Sequence, residues 1–230
     1  MKKISEIKKR FNDKSLFDKA LTHRSWVNEN DKKRGTNERL EFLGDAILEF
    51  IVSKELYNEF TNKEEGYLTS LRANLVNTKN LADLAIKLNL GKEIFLSKGE
   101  EDGGGRNNPS LLADTVEAII GAIYLDQGLD EAEEFIKLNI LDDVHSRAKS
   151  PLKDPKSLLQ EIVQSKKFPA PKYQVVSEVG PDHNKKFVVE VLINNKVEAK
   201  GEGRSKSEAE QMAAKNALTS YCGIELSNVK

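Results

Sequence analysis

Apolar residues return every three or four positions through most of residues 1–140, and that period predicts helices. SEIKKRF and SLFDKALTH are short amphipathic pieces. A long helix is expected from Asn37 to about Tyr57, with Leu40, Leu43, Ile47, Phe50 and Ile51 as its core stripe. LTSLRANLVNTKNLADLAIKLNL keeps the helical spacing until Gly91. KGEEDGGGRNNPS breaks it with a run of three consecutive glycines and a proline and reads as a mobile loop, with Gly103–Gly105 and Arg106 as a hinge. Ser110 is the expected N-cap of the next helix, LLADTVEAIIGAIYLDQG, and Gly128 its terminator. LDEAEEFIKLNIL makes one more helix, and HSRAKSPLKDP has the composition of a linker.

Beyond it the period changes. KSLLQEIVQSKKF is a short helix, KYQVVSEVG and KKFVVEVLI alternate like strands, NNK makes a turn, and VEAKGEGR is a third strand. SKSEAEQMAAKNALTSY closes the segment as a helix with Ser205 at its N-cap and Ala209, Met212, Ala213 and Ala217 as its core side. The expected architecture is an all-α domain over 1–145, a flexible linker over 146–153, a small α+β domain over 154–223 and a tail over 224–230. The second domain reads α-β-β-β-α, a three-stranded antiparallel sheet with helices on one face.

Composition narrows the class. No apolar run approaches the roughly 20 residues of a membrane span. The basic start MKKISEIKKRF lacks the apolar segment of a secretory signal. A single cysteine, Cys222, excludes an intrachain disulfide and a cysteine zinc site and fits the reducing cytoplasm. The net charge of −1 hides an asymmetry: 23 basic against 27 acidic residues in 1–150, but 13 against 10 in 151–230. The second part leans toward a polyanion, though a +3 segment is also what ordinary solvated surface looks like.

The chemistry lies in the long helix. In NERLEFLGDAILEF, Glu38, Glu41 and Asp45 stand at i, i+3 and i+7, inside an arc of about 60° on a helical wheel. Like charges at that spacing repel. The helix after the glycine-rich loop adds Asp114 and Glu117 at i, i+3. Small residues (Gly44 and Ala46 on one helix, Ala113, Ala118 and Gly121 on the other) let the two approach closely. Four or five carboxylates then converge in a largely apolar setting, which raises their pKa values unless a divalent cation compensates. All-oxygen donors suit Mg²⁺, with Mn²⁺ as substitute, and leave room for a substrate phosphate in metal-assisted phosphodiester hydrolysis. A di-iron carboxylate bundle needs two Glu-x-x-His pairs, which His23, His145 and His183 do not supply. The competing reading is that each acidic pair is solvated helix surface. Phe42, close to the acidic side, is either partly buried between helices or inserted into a partner.

NERLEFLGDAILEF resembles the signature of the ribonuclease III family, and LLADTVEAIIGAIYLDQG resembles its second acidic motif. ALTHRSW and EGYLTSLRANLVN resemble further blocks in the expected order. DPKSLLQEIVQ, GPDHNKKF and GEGRSKSEAEQMAAKNAL resemble a double-stranded RNA-binding domain. The resemblance implies that the all-α domain has the ribonuclease III endonuclease fold. It also implies a metal cluster of Glu41, Asp45, Asp114 and Glu117, with Asp45 and Glu117 most critical for catalysis and Glu38 an accessory acid. It implies a homodimer in which Phe42 packs on the partner subunit. Each of the two sites then cuts one strand, leaving short 3′ overhangs with 5′-phosphate and 3′-hydroxyl ends. The implied substrates are structured RNA precursors, ribosomal and messenger, and no small molecule. The rival is a non-catalytic double-stranded RNA-binding protein whose acids are structural.

A-form RNA is read by shape, 2′-hydroxyls and phosphates. Gln160 and Glu161 can exchange hydrogen bonds with 2′-hydroxyls, and His183 in GPDHNKK can enter a minor groove. Arg204, Ser205, Lys206 and Ser207 form a phosphate clamp at the start of the last helix. By resemblance these are contact positions. Ser207 stands where such domains usually carry a second basic residue, so one phosphate contact is expected to be weaker. Without the resemblance, Gln160 and Glu161 read equally well as plain helix surface. His23 and Ser25 fall in a family block, though capping explains Ser25 as well as substrate contact does. Lys185, Lys186 and Lys200 read as solvated.

Overall fold

The computed structural model describes residues 4–30, 34–148, 152–181 and 185–222, the side chain of Cys222 excepted. The chain divides into two compact units, Met1–Ala148 and Lys149–Lys230.

The first unit is helical: α1 (Ile4–Arg10), α2 (Lys14–Ala20), α3 (Arg24–Glu29), α4 (Glu38–Glu59), α5 (Glu65–Val76), α6 (Thr78–Lys87), α7 (Lys98–Asp102), α8 (Pro109–Gln127), α9 (Leu129–Asn139) and α10 (Val144–Ala148). α8 is apolar around nearly its whole circumference, and Leu112, Ala113, Val116 and the run Ala118–Ile123 are buried. Such a helix belongs at the centre of a core. α4 lies against it through Leu40, Gly44, Ile47, Leu48 and Ile51. Glycines make the crossing close. A Cβ on Gly44 would stand 1.8 Å from the Glu117 carbonyl oxygen, and one on Gly121 would stand 2.2 Å from that of Leu40. Main chain thus meets main chain, one turn from Glu41 and beside Glu117.

Several local expectations need correction. Phe50 is 56% exposed and not core, whereas Gly44, Leu48 and Val52 complete the buried stripe. The helical pattern of residues 68–90 breaks at Asn77, whose extended backbone ends α5 and whose side chain accepts from Asn80 N–H to cap α6. Gly91 lies within a 3₁₀ turn, Leu90–Lys92. The glycine-rich stretch is a built corner. Ser97 caps α7, a 3₁₀ turn follows at Gly105–Asn107, and Arg106 ties them down. Its guanidinium pairs with Glu101 at 2.6 Å and donates to the carbonyls of Gly91 and Ile94 at 2.9 and 3.1 Å, a latch where a hinge was expected. The N-cap of α8 is Asn108, not Ser110, because Pro109 takes the first helical position and keeps the residue before it extended. α10 occupies part of the stretch read as linker, with the Tyr67 hydroxyl donating to the Ala148 carbonyl.

The second unit comprises α11 (Pro155–Ser165), β1 (Lys172–Val179), β2 (Lys186–Ile193), β3 (Lys196–Gly203) and α12 (Lys206–Cys222). The strands pair antiparallel in the order β1-β2-β3. Asn194 and Asn195 take φ of 51° and 63°, as a two-residue type I′ hairpin turn requires. Leu159 and Val163 of α11, Val189, Val191 and Ile193 of β2, and Ala209, Ala213, Ala214, Ala217 and Leu218 of α12 form the core on one face of the sheet. Met212, expected in that core, is 41% exposed.

Candidate functional site

α4 and α8 bring three carboxylates together. Oxygens of Glu41, Asp114 and Glu117 all lie within 4.8 Å of one another, the one such grouping among the described residues. The juxtaposition follows from the glycine crossing, which presses the Glu117 main chain against Gly44, one turn past Glu41. All three side chains are half-buried. Burial is the main force raising each carboxyl above its usual range. Glu117 is pushed up to about 8 by burial, then by the charges of Asp45, Asp114, Glu41 and Glu49. Glu41 is raised by burial and then by Asp114, Glu38 and Asp45, while His23 moderates the rise at Asp114. Three hard oxygen donors whose charges are mutually costly are what a divalent cation answers, and the donor set fits one.

The other acids are placed differently. Asp45 is exposed and lies outside the grouping of three, although its charge is the largest Coulombic influence on Glu117. Glu38 is also exposed and has a cationic partner. Its Oε1 lies 3.3 Å from Arg24 Nη1, and its Oε2 accepts from Thr36 Oγ1 at 2.9 Å. Glu49, two turns beyond Glu41, pairs with Arg72 of α5 at 2.8 Å. Arg24 and Arg72 escaped the sequence reading because each meets its acid only through the fold. The hint was Arg24's place in ALTHRSW, directly before Ser25.

His23 caps α3, its Nδ1 accepting from Ser25 N–H and standing 2.8 Å from Ser25 Oγ, which in turn accepts from Ser97 N–H. Ser25 therefore has a structural role. A cleft of about 380 Å³ opens beside the acids, lined by His23, Arg24, Asn37, Glu38, Glu41 and Asp114. Phe42 is 80% exposed, which excludes burial between helices of its own chain.

In the second unit Gln160 and Glu161 are exposed on α11, but Glu161 is engaged by Lys153 at 2.5 Å. Arg204, Ser205 and Lys206 are exposed at the start of α12. Ser205 Oγ accepts from Glu208 N–H, as an N-cap should, while the Glu208 carboxylate reaches back to accept from Arg204 N–H at 2.6 Å. That donor is thereby occupied. Lys206 Nζ lies 5.9 Å from the ring centre of Phe187. His183 lies outside the described residues. Lys200, read as solvated, pairs with Glu190 across the strands at 2.7 Å.

Residues 13–144 match the family model described as ribonuclease-III-like, and residues 155–221 match the double-stranded RNA binding motif. The chain is 48% identical to Ribonuclease 3 of Oceanobacillus iheyensis over 91% of its own length and 92% of that protein. The chain belongs to the ribonuclease III family. The Ribonuclease 3 of Natranaerobius thermophilus is 48% identical over 88% of both chains. Among solved structures, the nuclease domain of ribonuclease III from Campylobacter jejuni superposes with a TM-score of 0.55 at 44% identity, covering 62% of this chain and 97% of that one. The resemblance read from the motifs is borne out, as is the expected architecture of a helical nuclease fold followed by an α-β-β-β-α domain. As a ribonuclease III the protein is an endoribonuclease acting on double-stranded RNA. Among the described residues no helix is long and apolar enough to cross a membrane.

Proposed function

We propose that this ribonuclease III hydrolyses phosphodiester bonds of duplex RNA with Mg²⁺ held by Glu41, Asp114 and Glu117 and joined by Asp45, and that Mn²⁺ substitutes. The observation that carries this reading is the meeting of three carboxylates within 4.8 Å on two packed helices. Glu117, half-buried and raised to about 8, holds a proton near neutral pH that a bound cation would displace. Bound there, the cation supplies activation of a water nucleophile and charge stabilisation at the leaving oxygen. The protein's own part is to hold the carboxylates at a separation set by the main-chain crossing and to keep bulk water from one side of them. Asp45 and Glu117 are the acids whose loss costs catalysis most, and Glu38 acts at the edge of the site.

The products in this proposal carry 5′-phosphate and 3′-hydroxyl ends with short 3′ overhangs, made from ribosomal and other structured precursors in the cytoplasm. Two copies act together, with Phe42 packed on the partner. Its exposure supports this. So does a second nuclease-domain structure from Campylobacter jejuni, described as flexible in a region involved in dimer formation. The nuclease domain is the part read over 1–145 and the RNA-binding domain the part read over 154–223; α10 carries the first unit on to Ala148 in the stretch read as linker over 146–153, and the stretch read as a tail over 224–230 lies outside the described residues. Gln160, Glu161, His183, Arg204, Ser205 and Lys206 contact RNA.

The test is to incubate the chain with a long RNA duplex, with and without chelator. Discrete shortening that requires Mg²⁺ is expected. Full-length duplex under both conditions overturns the nuclease reading in favour of a non-catalytic RNA-binding protein.

A further inference from the structure

The cleft beside the acids has one feature that the metal reading does not use. Five of its six lining residues are polar or acidic groups with identifiable work. Asn37 is buried, its N–H donating to Thr22 and its carbonyl accepting from the start of α4. His23 is tied to Ser25. Glu41 and Asp114 belong to the carboxylate grouping, and Glu38 has both oxygens engaged, one by Thr36 and one by Arg24. The sixth is Arg24, the single permanently charged cation on the cleft wall. Its side chain is 67% exposed, and its one ion pair among the described residues is with Glu38 at 3.3 Å.

We propose that Arg24 is a phosphate-binding residue for the RNA strand entering the cleft, and that Glu38 is the acid that aims it. The proposal rests on the nuclease reading above and adds a cation to a site so far described only by its acids. A phosphodiester approaching Glu41, Asp114 and Glu117 meets net negative charge, and a guanidinium on the same wall offsets part of that repulsion. Guanidinium presents planar paired donors that match a phosphate's oxygens. An ion pair as exposed as Arg24–Glu38 is worth roughly 0–1 kcal/mol, so exchanging the carboxylate for a phosphate costs little. Glu38 is in turn anchored by Thr36, two residues before it, which holds the aiming carboxylate at the mouth of the cleft. This gives Glu38 a task that its exposure, outside the grouping of three, would otherwise leave unexplained.

The experiment uses the full chain. Steady-state cleavage of an RNA duplex in Mg²⁺ is compared for wild type, Arg24→Ala, Arg24→Lys, Glu38→Gln and the Arg24→Ala/Glu38→Gln pair. Duplex affinity is measured in chelator across a salt series, and unfolding midpoints are recorded. Arg24→Ala is expected to lower kcat/KM about 10-fold, the scale of one charge-assisted hydrogen bond. It should also reduce the slope of log affinity against log salt by about 1. Arg24→Lys restores the slope but only part of kcat/KM, since a point charge lacks the paired donors. Glu38→Gln costs less in the Arg24→Ala background than alone. Wild-type kcat/KM and salt slope in Arg24→Ala overturn the assignment. So does a lowered unfolding midpoint with unchanged slope and no rescue by lysine, which marks a purely structural residue. If wild type itself leaves the duplex intact in Mg²⁺, it is the nuclease reading that fails.

Discussion

The acid cluster of the first unit and the RNA-binding face of the second carry charge in opposite ways. On the second, Glu161 is answered by Lys153 and the N-terminus of α12 by its own Glu208. Glu161, Arg204 and Glu208 are exposed, each with a partner inside its own unit. In the first unit Glu41, Asp114 and Glu117 are driven together by packing and left with one another. The outer acids Glu38 and Glu49 have arginine partners, whereas Asp45 adds its charge to the inner three. The two units therefore prepare for their partners differently. In the proposed reading, one stores a charge imbalance that a cation would relieve, and the other presents paired groups that would exchange internal partners for phosphate and hydroxyl.

The largest expected effect breaks the first side alone. Glu117→Gln should lower cleavage about 1,000-fold or more, since metal-borne charge stabilisation is worth several kcal/mol, while duplex affinity stays near wild type. Cleavage at the normal rate would mean the carboxylate is no ligand. The same variant reads the stored charge through pH. Glu117 rises from an ordinary 4.5 to about 8, so without cation the folded chain holds a proton that the unfolded chain releases. The sign of the linkage makes the contribution fully present below the unfolded value and lost as pH climbs through the folded one. Thermal stability in chelator should therefore fall between about pH 5 and pH 8, less so in Glu117→Gln, and added Mg²⁺ should stabilise most at the alkaline end. An identical pH profile in both proteins would contradict the raised carboxyl.

Next in size is Gly44→Ala. A methyl group cannot fit 1.8 Å from a carbonyl oxygen, so α4 must shift away from α8, at a cost of about 3 kcal/mol. Lower stability with reduced Mg²⁺ binding ties the cluster to the crossing, and unchanged values of both would break that tie. The smallest effect sharpens the other side. Lys206→Ala should weaken duplex binding only a few-fold, alike on all sequences, with the salt slope reduced by about 1. A loss confined to one RNA sequence would argue against shape readout.

The acid pairs were legible because helical period, like charge and small residues coincide in two short motifs, and the α-β-β-β-α pattern because valine alternation and an Asn-Asn turn are local signals. What the sequence concealed depended on distant partners. Arg24 lies 14 positions before Glu38, Arg72 lies 23 after Glu49, and nothing local joins either pair. Phe50 sits near the apolar side of the helical wheel, yet among the described residues it stays more than half exposed. The glycine-rich stretch read as mobile because its order comes from Arg106 reaching carbonyls 12 to 15 residues upstream. Ser110 lost its cap to Asn108 through the proline between them, a local rule given too little weight.

The contact at Gly44 and Gly121 has a bearing on how such a centre can vary among related chains. Where peptide touches peptide, the gap between helices is gauged by atomic radii and not by any rotamer. Drift in the surrounding apolar residues can therefore be absorbed without retuning the spacing of the carboxylates, whereas even one added carbon at the junction would force both helices to be repositioned together.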